Sequence, residues 1–219
     1  KRDMKSFLVI GLGRFGQHLC RDLIRMDSEV MVIDKEESAT QPLLNCATTV
    51  KIGDCTNEEV LKSLGVGNFD TCFVCIGSNF QSSLEVTSLL KDLGAKRVVS
   101  KASRDIHAKF LLRNGADEVI YPDKDIAERV AVKYSANHVF DYFELHSDYS
   151  IYEIQPKKSW IGHTIGEANI RAKYHVSIFG IGNGEDFDIL PNVNYVMKEE
   201  DHLMVVGLKK DIDRLLESI

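Results

Sequence analysis

Nowhere does this chain reach the roughly 20 uninterrupted apolar residues needed to span a bilayer. Its charged first residues, Lys1-Arg2-Asp3-Met4-Lys5, do not form a secretory signal. Membrane spanning and secretion are therefore not expected. A long Lys/Arg cluster is also missing: 27 basic against 33 acidic side chains give a net charge of −6, so the chain offers no electrostatic footprint for a phosphate backbone. Nucleic acid is excluded as a first-choice partner, whereas a mononucleotide needs only a local site. Cysteines are few and odd in number, Cys20, Cys46, Cys55, Cys72 and Cys75, which argues against a secreted disulfide framework and for a reducing cytoplasm. Cys72 and Cys75 form a C-x-x-C inside the apolar run Phe73-Val74-Cys75-Ile76. Residues three apart on a strand face opposite ways, so this pair reads as structural rather than metal-binding. The seven histidines are scattered, none pairs at metal-ligand spacing, and each reads as a surface or packing residue. Low-complexity tracts and internal repeats are absent.

What is present is a chain of 219 residues with 44% hydrophobic content, enough for one large domain or one plus a small one. Through residue 135, short apolar runs alternate with amphipathic segments, the pattern of a parallel sheet covered by helices. The runs predict strands at 6–11, 30–34, 48–52, 71–76, 97–101 and 118–121. Near 137–150 aromatic and acidic residues replace this alternation. Beyond it the pattern predicts strands at 151–155, 176–181, 187–190 and 203–206, a helix over 165–173 and a terminal helix from Lys209. The expected fold class is thus α/β, a Rossmann-like doubly wound parallel sheet over 1–141, followed by a small α+β lobe over 142–219.

The most informative segment is Phe7-Leu8-Val9-Ile10-Gly11-Leu12-Gly13-Arg14-Phe15-Gly16, an apolar strand running into Gly-x-Gly-x-x-Gly and a helix. Gly11 permits a tight turn, Gly13 lets backbone approach a pyrophosphate, and Gly16 lets helix and strand pack closely; the phosphate then meets the helix N-terminus. Asp34, twenty-one residues past Gly13 with Lys35 beside it, ends the second strand where a carboxylate bonds ribose hydroxyls. An adenine nucleotide is the expected ligand. Arg14 adds a fork of donors suited to a polyphosphate, the bland reading being a solvated helix-start residue. Further strand ends supply the rim: Asp54 and Cys55, then Gly77-Ser78-Asn79, then Lys101. Asp54 suits an adenine amino group, Asn79 ribose or phosphate, and Lys101 a second phosphate; helix N-caps for Asp54 and Asn79 and a solvated end for Lys101 fit equally well. Asp123, in Tyr121-Pro122-Asp123, reads as a cap or a cation ligand. No Tyr-x-x-x-Lys or similar acid/base constellation accompanies the fingerprint, and the chain is expected to be no enzyme. The rival readings are a small NAD(P)-dependent oxidoreductase and an NADH-reading transcriptional regulator, the latter disfavoured by the lack of a basic DNA-reading helix.

These residues, with Gly53-Asp54, Tyr121-Pro122-Asp123-Lys124-Asp125, Asn169-Ile170-Arg171-Ala172-Lys173-Tyr174 and Val206-Gly207, resemble the RCK/KTN family of potassium channel and transporter regulators, most of all its cytosolic Ktr type. Trk-type members, with a NAD(H)-like site, typically carry two tandem copies of the unit, whereas this chain holds one. The resemblance implies a gating ring of eight subunits, a tetramer of dimers, docked at the inner face of the cell membrane beneath a potassium-translocating subunit. It implies ATP or ADP in the first lobe, with Arg14 and Phe15 in the phosphate loop and Arg14 at the terminal phosphates. It implies Mg2+ or Na+ beside ATP at Asp123, where the family usually has Glu. It also implies cyclic di-AMP at the second lobe through Ile165, Gly166, Asn169, Arg171, Ala172 and Pro191, with Gly166 standing where members often carry a second aliphatic side chain.

Overall fold

The computed structural model describes residues 4–135, 138–146, 148–183 and 186–219. The chain divides into two compact units, Lys1–Asp123 and Lys124–Ile219.

The first unit runs β1 (Ser6–Ile10), α1 (Arg14–Arg25), β2 (Glu29–Asp34), α2 (Glu37–Thr40), β3 (Thr49–Ile52), α3 (Glu58–Leu64), β4 (Thr71–Val74), α4 (Phe80–Asp92), β5 (Val98–Lys101), α5 (Asp105–Arg113) and β6 (Glu118–Ile120). All six strands are parallel in the order β3-β2-β1-β4-β5-β6. The order reverses between β1 and β4, and ligands of such sheets bind beyond the carboxyl ends at that crevice.

The apolar runs lack a polar alternate because both sheet faces are covered. Leu8 and Ile10 of β1 pack with Leu61 of α3 and Val86 and Leu90 of α4. Val9, between them, points the other way and packs with Cys20 of α1, Val30, Val32 and Leu43. Each fully buried aliphatic side chain contributes about 1.5–3 kcal/mol. Cys72 belongs to the first of these clusters and Cys75 to the second, as their spacing predicts. The five cysteines are free, and only Cys46 is exposed. β4 ends at Val74, two residues short of expectation, because the chain turns at Cys75, whose amide still bonds the Ile10 carbonyl at 2.7 Å.

From the boundary onward come α6 (Pro122–Ser135), β7 (Val139–His146), β8 (Tyr149–Ile154), α7 (Ile165–Ala168), α8 (Ile170–Tyr174), β9 (Ser177–Gly182), β10 (Phe187–Ile189), β11 (His202–Leu208) and α9 (Lys209–Leu216). All of α6 after its first two residues, and the first residues of β7, lie between this boundary and the division expected after residue 141. The second unit's sheet is antiparallel, ordered β10-β9-β11-β8-β7. Its core gathers Tyr142, Tyr152, Trp160, Met197 and Leu203, covered by Ile212 and Leu215 of α9. The chain's one tryptophan is therefore buried here. Arg129 of α6 grips Asp141 of β7 with two hydrogen bonds, 2.9 and 2.7 Å, and its guanidinium lies 4.0 Å over the Phe143 ring.

Two expectations need correction. The single helix over 165–173 is two short helices, because Asn169 adopts the left-handed conformation (φ 47°), which Asn tolerates better than most side chains. Residues 139–146 form a full strand where the pattern predicts none. Irregular register between Val139 and Asp141 and again between Glu144 and His146 breaks the two-residue period that marks a strand. Among the described residues no helix is long and apolar enough to cross a membrane.

Candidate functional site

A cavity of about 480 Å³ opens at the carboxyl ends of β1 to β5. The glycine loop forms its centre. Gly11 turns with φ +91°, and a Cβ there would stand 3.0 Å from the Ile76 amide nitrogen. Gly16 is buried beneath the loop and does not line the cavity; a Cβ on it would overlap the Gly11 carbonyl oxygen. Gly13 differs, since a Cβ there would meet nothing within 4 Å. It N-caps α1 with no side chain covering the first-turn amides, the arrangement that receives an anion.

Gly11, Gly13, Arg14, Phe15, Asp34, Lys35, Asp54, Cys55, Gly77, Ser78, Asn79 and Lys101 all line the cavity, as the strand-end rule predicts. Charge is sorted across it. Asp34 at the tip of β2 and Glu36 and Asp54 beyond β2 and β3 stand on one side, with Lys35 among them, the glycine loop stands over β1, and Lys101 lies at the end of β5. Arg14 is exposed at the first position of α1, and Lys101 holds its ammonium 5.7 Å over the Phe15 ring. Neither cation is ion-paired among the described residues.

Asp34 is already engaged by the protein. Its Oδ2 accepts the Leu12 amide at 2.6 Å and its Oδ1 the Glu36 amide at 2.9 Å, so the carboxylate braces the phosphate loop while facing the cavity. Asp54 caps no helix. Its Oδ1 accepts from the Thr56 amide and hydroxyl, which, with Lys35 nearby, hold its pKa below the usual carboxylate value; Asn57 caps α3 instead. Asn79 does cap α4, accepting from the Ser82 amide at 3.0 Å, so its cap and cavity positions coincide. Cys55 and Cys75 also line the cavity, and burial pushes both thiols up to about 12. Both therefore act as protonated, apolar wall. Glu36, Ala39, Ile76 and Ser82 are among the further lining residues that the sequence does not single out as ligand-binding. Glu36 and Ile76 lie two residues past the tips of β2 and β4, within reach of the same rule, whereas Ala39 and Ser82 lie five and eight residues past those tips and no strand-end signal marks them.

Asp123 is exposed and lies outside the cavity. Among the described residues no three His, Cys, Asp or Glu side chains converge to hold a metal. Its carboxylate alone does not make up a donor set for a cation.

The second unit has a cavity of about 260 Å³ lined by Ile165, Gly166, Asn169, Arg171 and, unforeseen, Ile170, Val176, Ser177, Ile178 and Val193. Ala172 and Pro191 do not reach it. Val193 stands over Gly166, its Cγ2 3.0 Å from where a Cβ would be. A methyl group from a distant loop thus occupies the space a side chain at 166 would fill.

Known proteins match this chain along almost its whole length. The family model of the TrkA-N domain matches residues 7–122 and that of the TrkA-C domain residues 149–219. The Ktr system potassium uptake protein C of Bacillus subtilis is 40% identical over 210 residues, 96% of this chain and 95% of that protein. The Ktr system potassium uptake protein A of Vibrio alginolyticus is 28% identical over 219 residues, all of both chains. Among solved structures the GsuK channel superposes with a TM-score of 0.71 at 20% identity, covering this whole chain and 40% of that one, a likeness of fold.

Proposed function

We infer, because the chain belongs to the RCK/KTN family of TrkA-N and TrkA-C domain proteins, which includes the Ktr potassium uptake proteins, that it is a nucleotide-sensing regulatory subunit of a potassium uptake system. The observation that carries this reading is the sorted charge of the first cavity. Carboxylates beyond β2 and β3 suit a nucleoside, the uncapped amides of α1 suit a phosphate, and Arg14 and Lys101 suit the charge of a chain of phosphates. A nucleotide with one phosphate more would meet Arg14 where a shorter one does not. Such a ligand changes a shape only through differential affinity for two shapes. Moving a gate from mostly closed to mostly open takes about 5.5 kcal/mol, which several subunits of a ring would share. In this reading the chain assembles as an octamer, a tetramer of dimers, and docks on the cytoplasmic side of a membrane potassium-translocating subunit without catalysing a reaction. No step is assigned to a cation at Asp123.

Calorimetric titration of ATP, ADP, NAD and NADH against wild type and R14A tests the ligand. ATP and ADP binding, with the ATP preference lost in R14A, supports the reading; preferred binding of NADH, in keeping with a GsuK structure bound to NAD, overturns it in favour of a dinucleotide sensor. Potassium flux in liposomes carrying the membrane subunit then tests gating.

A second ligand is proposed for the second unit. Arg171 beside an apolar wall of Ile165, Ile178 and Val193 suits a cyclic dinucleotide, the guanidinium meeting phosphate and the aliphatic groups a base. Heat of binding of cyclic di-AMP in wild type and its loss in R171A is the expected result.

A further inference from the structure

Behind the first cavity lies a chain of polar side chains that the reading above does not use. His107 of α5, Ser83 and Thr87 of α4 and Ser100 of β5 are all fully buried. Their proton positions follow from chemistry. The Ser103 amide can only donate, and it points at His107 Nδ1 at 3.3 Å, so that nitrogen carries the lone pair. The ring proton therefore sits on Nε2 and is donated to Ser83 Oγ at 3.2 Å. Thr87 gives its one hydroxyl proton to the Ser83 carbonyl at 2.7 Å, so it accepts from the Ser100 hydroxyl at 2.8 Å. Every buried side-chain polar atom described finds a partner.

Both ends of this relay adjoin the cavity. Ser83 sits in the first turn of α4, next to the cavity residue Ser82 and bonded through its amide to the Asn79 carbonyl at 3.1 Å. The imidazole also packs on Phe80, ring centroids 4.9 Å apart, and Phe80 adjoins Asn79. Ser100 precedes Lys101 in β5. We propose that His107, in its neutral state, is a positioning residue of the nucleotide site, locking the first turn of α4 and the end of β5 in the binding geometry. The inference rests on the nucleotide reading given above.

The Ser103 hydroxyl, 3.2 Å from the same nitrogen, also donates to it in the neutral state. A second proton would turn that hydroxyl into an acceptor and set an N–H against the Ser103 amide N–H, so the amide half of the lock is lost. Burial, aided by the charge of Arg104 at the N-cap of α5, holds the imidazole below the usual histidine value. The guanidinium of Arg104 lies over the far partner, Phe80, at 5.1 Å. α4 brings hydroxyls and the Phe80 ring to the imidazole, and β5 brings Ser100, with Lys101 directed into the cavity. Tyr121, after β6, bonds the Ser103 carbonyl at 2.9 Å. The neutral-state contribution is thus complete at and above the ordinary histidine value and is lost as pH falls below it.

The test titrates the full chain with ATP, as wild type, H107Q and H107A, across pH, and follows hydrogen exchange at the Ser82 and Ser83 amides. Gln keeps a donor near Nε2 and cannot ionise there, so H107Q should bind like wild type near pH 8, whereas H107A should bind more weakly. On the acid side of the usual histidine value wild type should lose affinity that H107Q keeps, the gap between the two profiles widening by at most about tenfold per pH unit, the ceiling for one ionisation. The nucleotide's own phosphate titrates in the same window, so the signal is the difference between the two profiles. Superimposable profiles with equal exchange at α4 overturn this inference and leave the nucleotide reading standing. No binding of ATP or ADP by wild type near pH 8 overturns both.

Discussion

At the scale of single residues, two glycines of one fingerprint serve opposite ends of the argument. Gly16 has no room for a methyl group, because the Gly11 carbonyl oxygen occupies the place. G16A should cost about 1–3 kcal/mol or more, read as a lowered melting temperature, since backbone must shift to admit the atom. Gly13 has room when nothing is bound. G13A should melt within about 0.5 kcal/mol of wild type yet bind ATP at least about tenfold more weakly, since its methyl group would stand where a pyrophosphate approaches. Equal affinities for G13A and wild type would remove the phosphate from the loop. Asp34 carries a different lesson. Both carboxylate oxygens accept backbone amides, and D34N would turn a donor toward one of them. A loss of about 1–3 kcal/mol is expected from chemical denaturation, before any ligand is added.

At the scale of elements, caps and ion pairs decide how firmly the framework holds. N79A removes the cap of α4 and should cost about 1 kcal/mol. Arg129 and Asp141 join α6 to β7, and the guanidinium hydrogen bonds hold the Asp141 carboxyl below the usual carboxylate value. A lowered acid stabilises above its ordinary value and loses that contribution as pH falls through the lowered one. R129M should therefore flatten the acid side of a pH series of urea titrations, modestly, the pair being partly exposed.

The same scale explains what the sequence discloses. β1, β2, β4 and β5 are legible because strands buried on both faces read as unbroken apolar runs. The phosphate loop is legible because its glycines stand at fixed offsets between strand and helix. β7 is not, because its irregular register hides Val139 and Tyr142 from a strict alternation. The break at Asn169 hides for a similar reason, one left-handed residue inside an otherwise helical pattern. Three of the nine residues of the second cavity's wall are Val176 and Ile178, at the start of β9, and Val193, brought to Arg171 by a loop twenty-two residues further along the chain. No local pattern announces such convergence.

At the scale of the whole molecule, each unit has its own core and its own cavity. A ligand stabilises the unit that binds it, by about 2.7 kcal/mol at a hundred times its dissociation constant. ATP should therefore give its largest protection from hydrogen exchange within residues 1–123, and cyclic di-AMP within 124–219. The reverse pattern would exchange the two assignments. The placement of two residue types adds something more. All five cysteines lie in the first unit and the single tryptophan lies in the core of the second. Each unit thus carries a private spectroscopic label. A thiol reagent should react at once with Cys46 and reach Cys20, Cys55, Cys72 and Cys75 only as the first unit opens, while the indole emission of Trp160 shifts to the red only as the second does. Recorded side by side in one unlabelled sample, the two clocks would run at one rate if the units open together and at two if each opens alone.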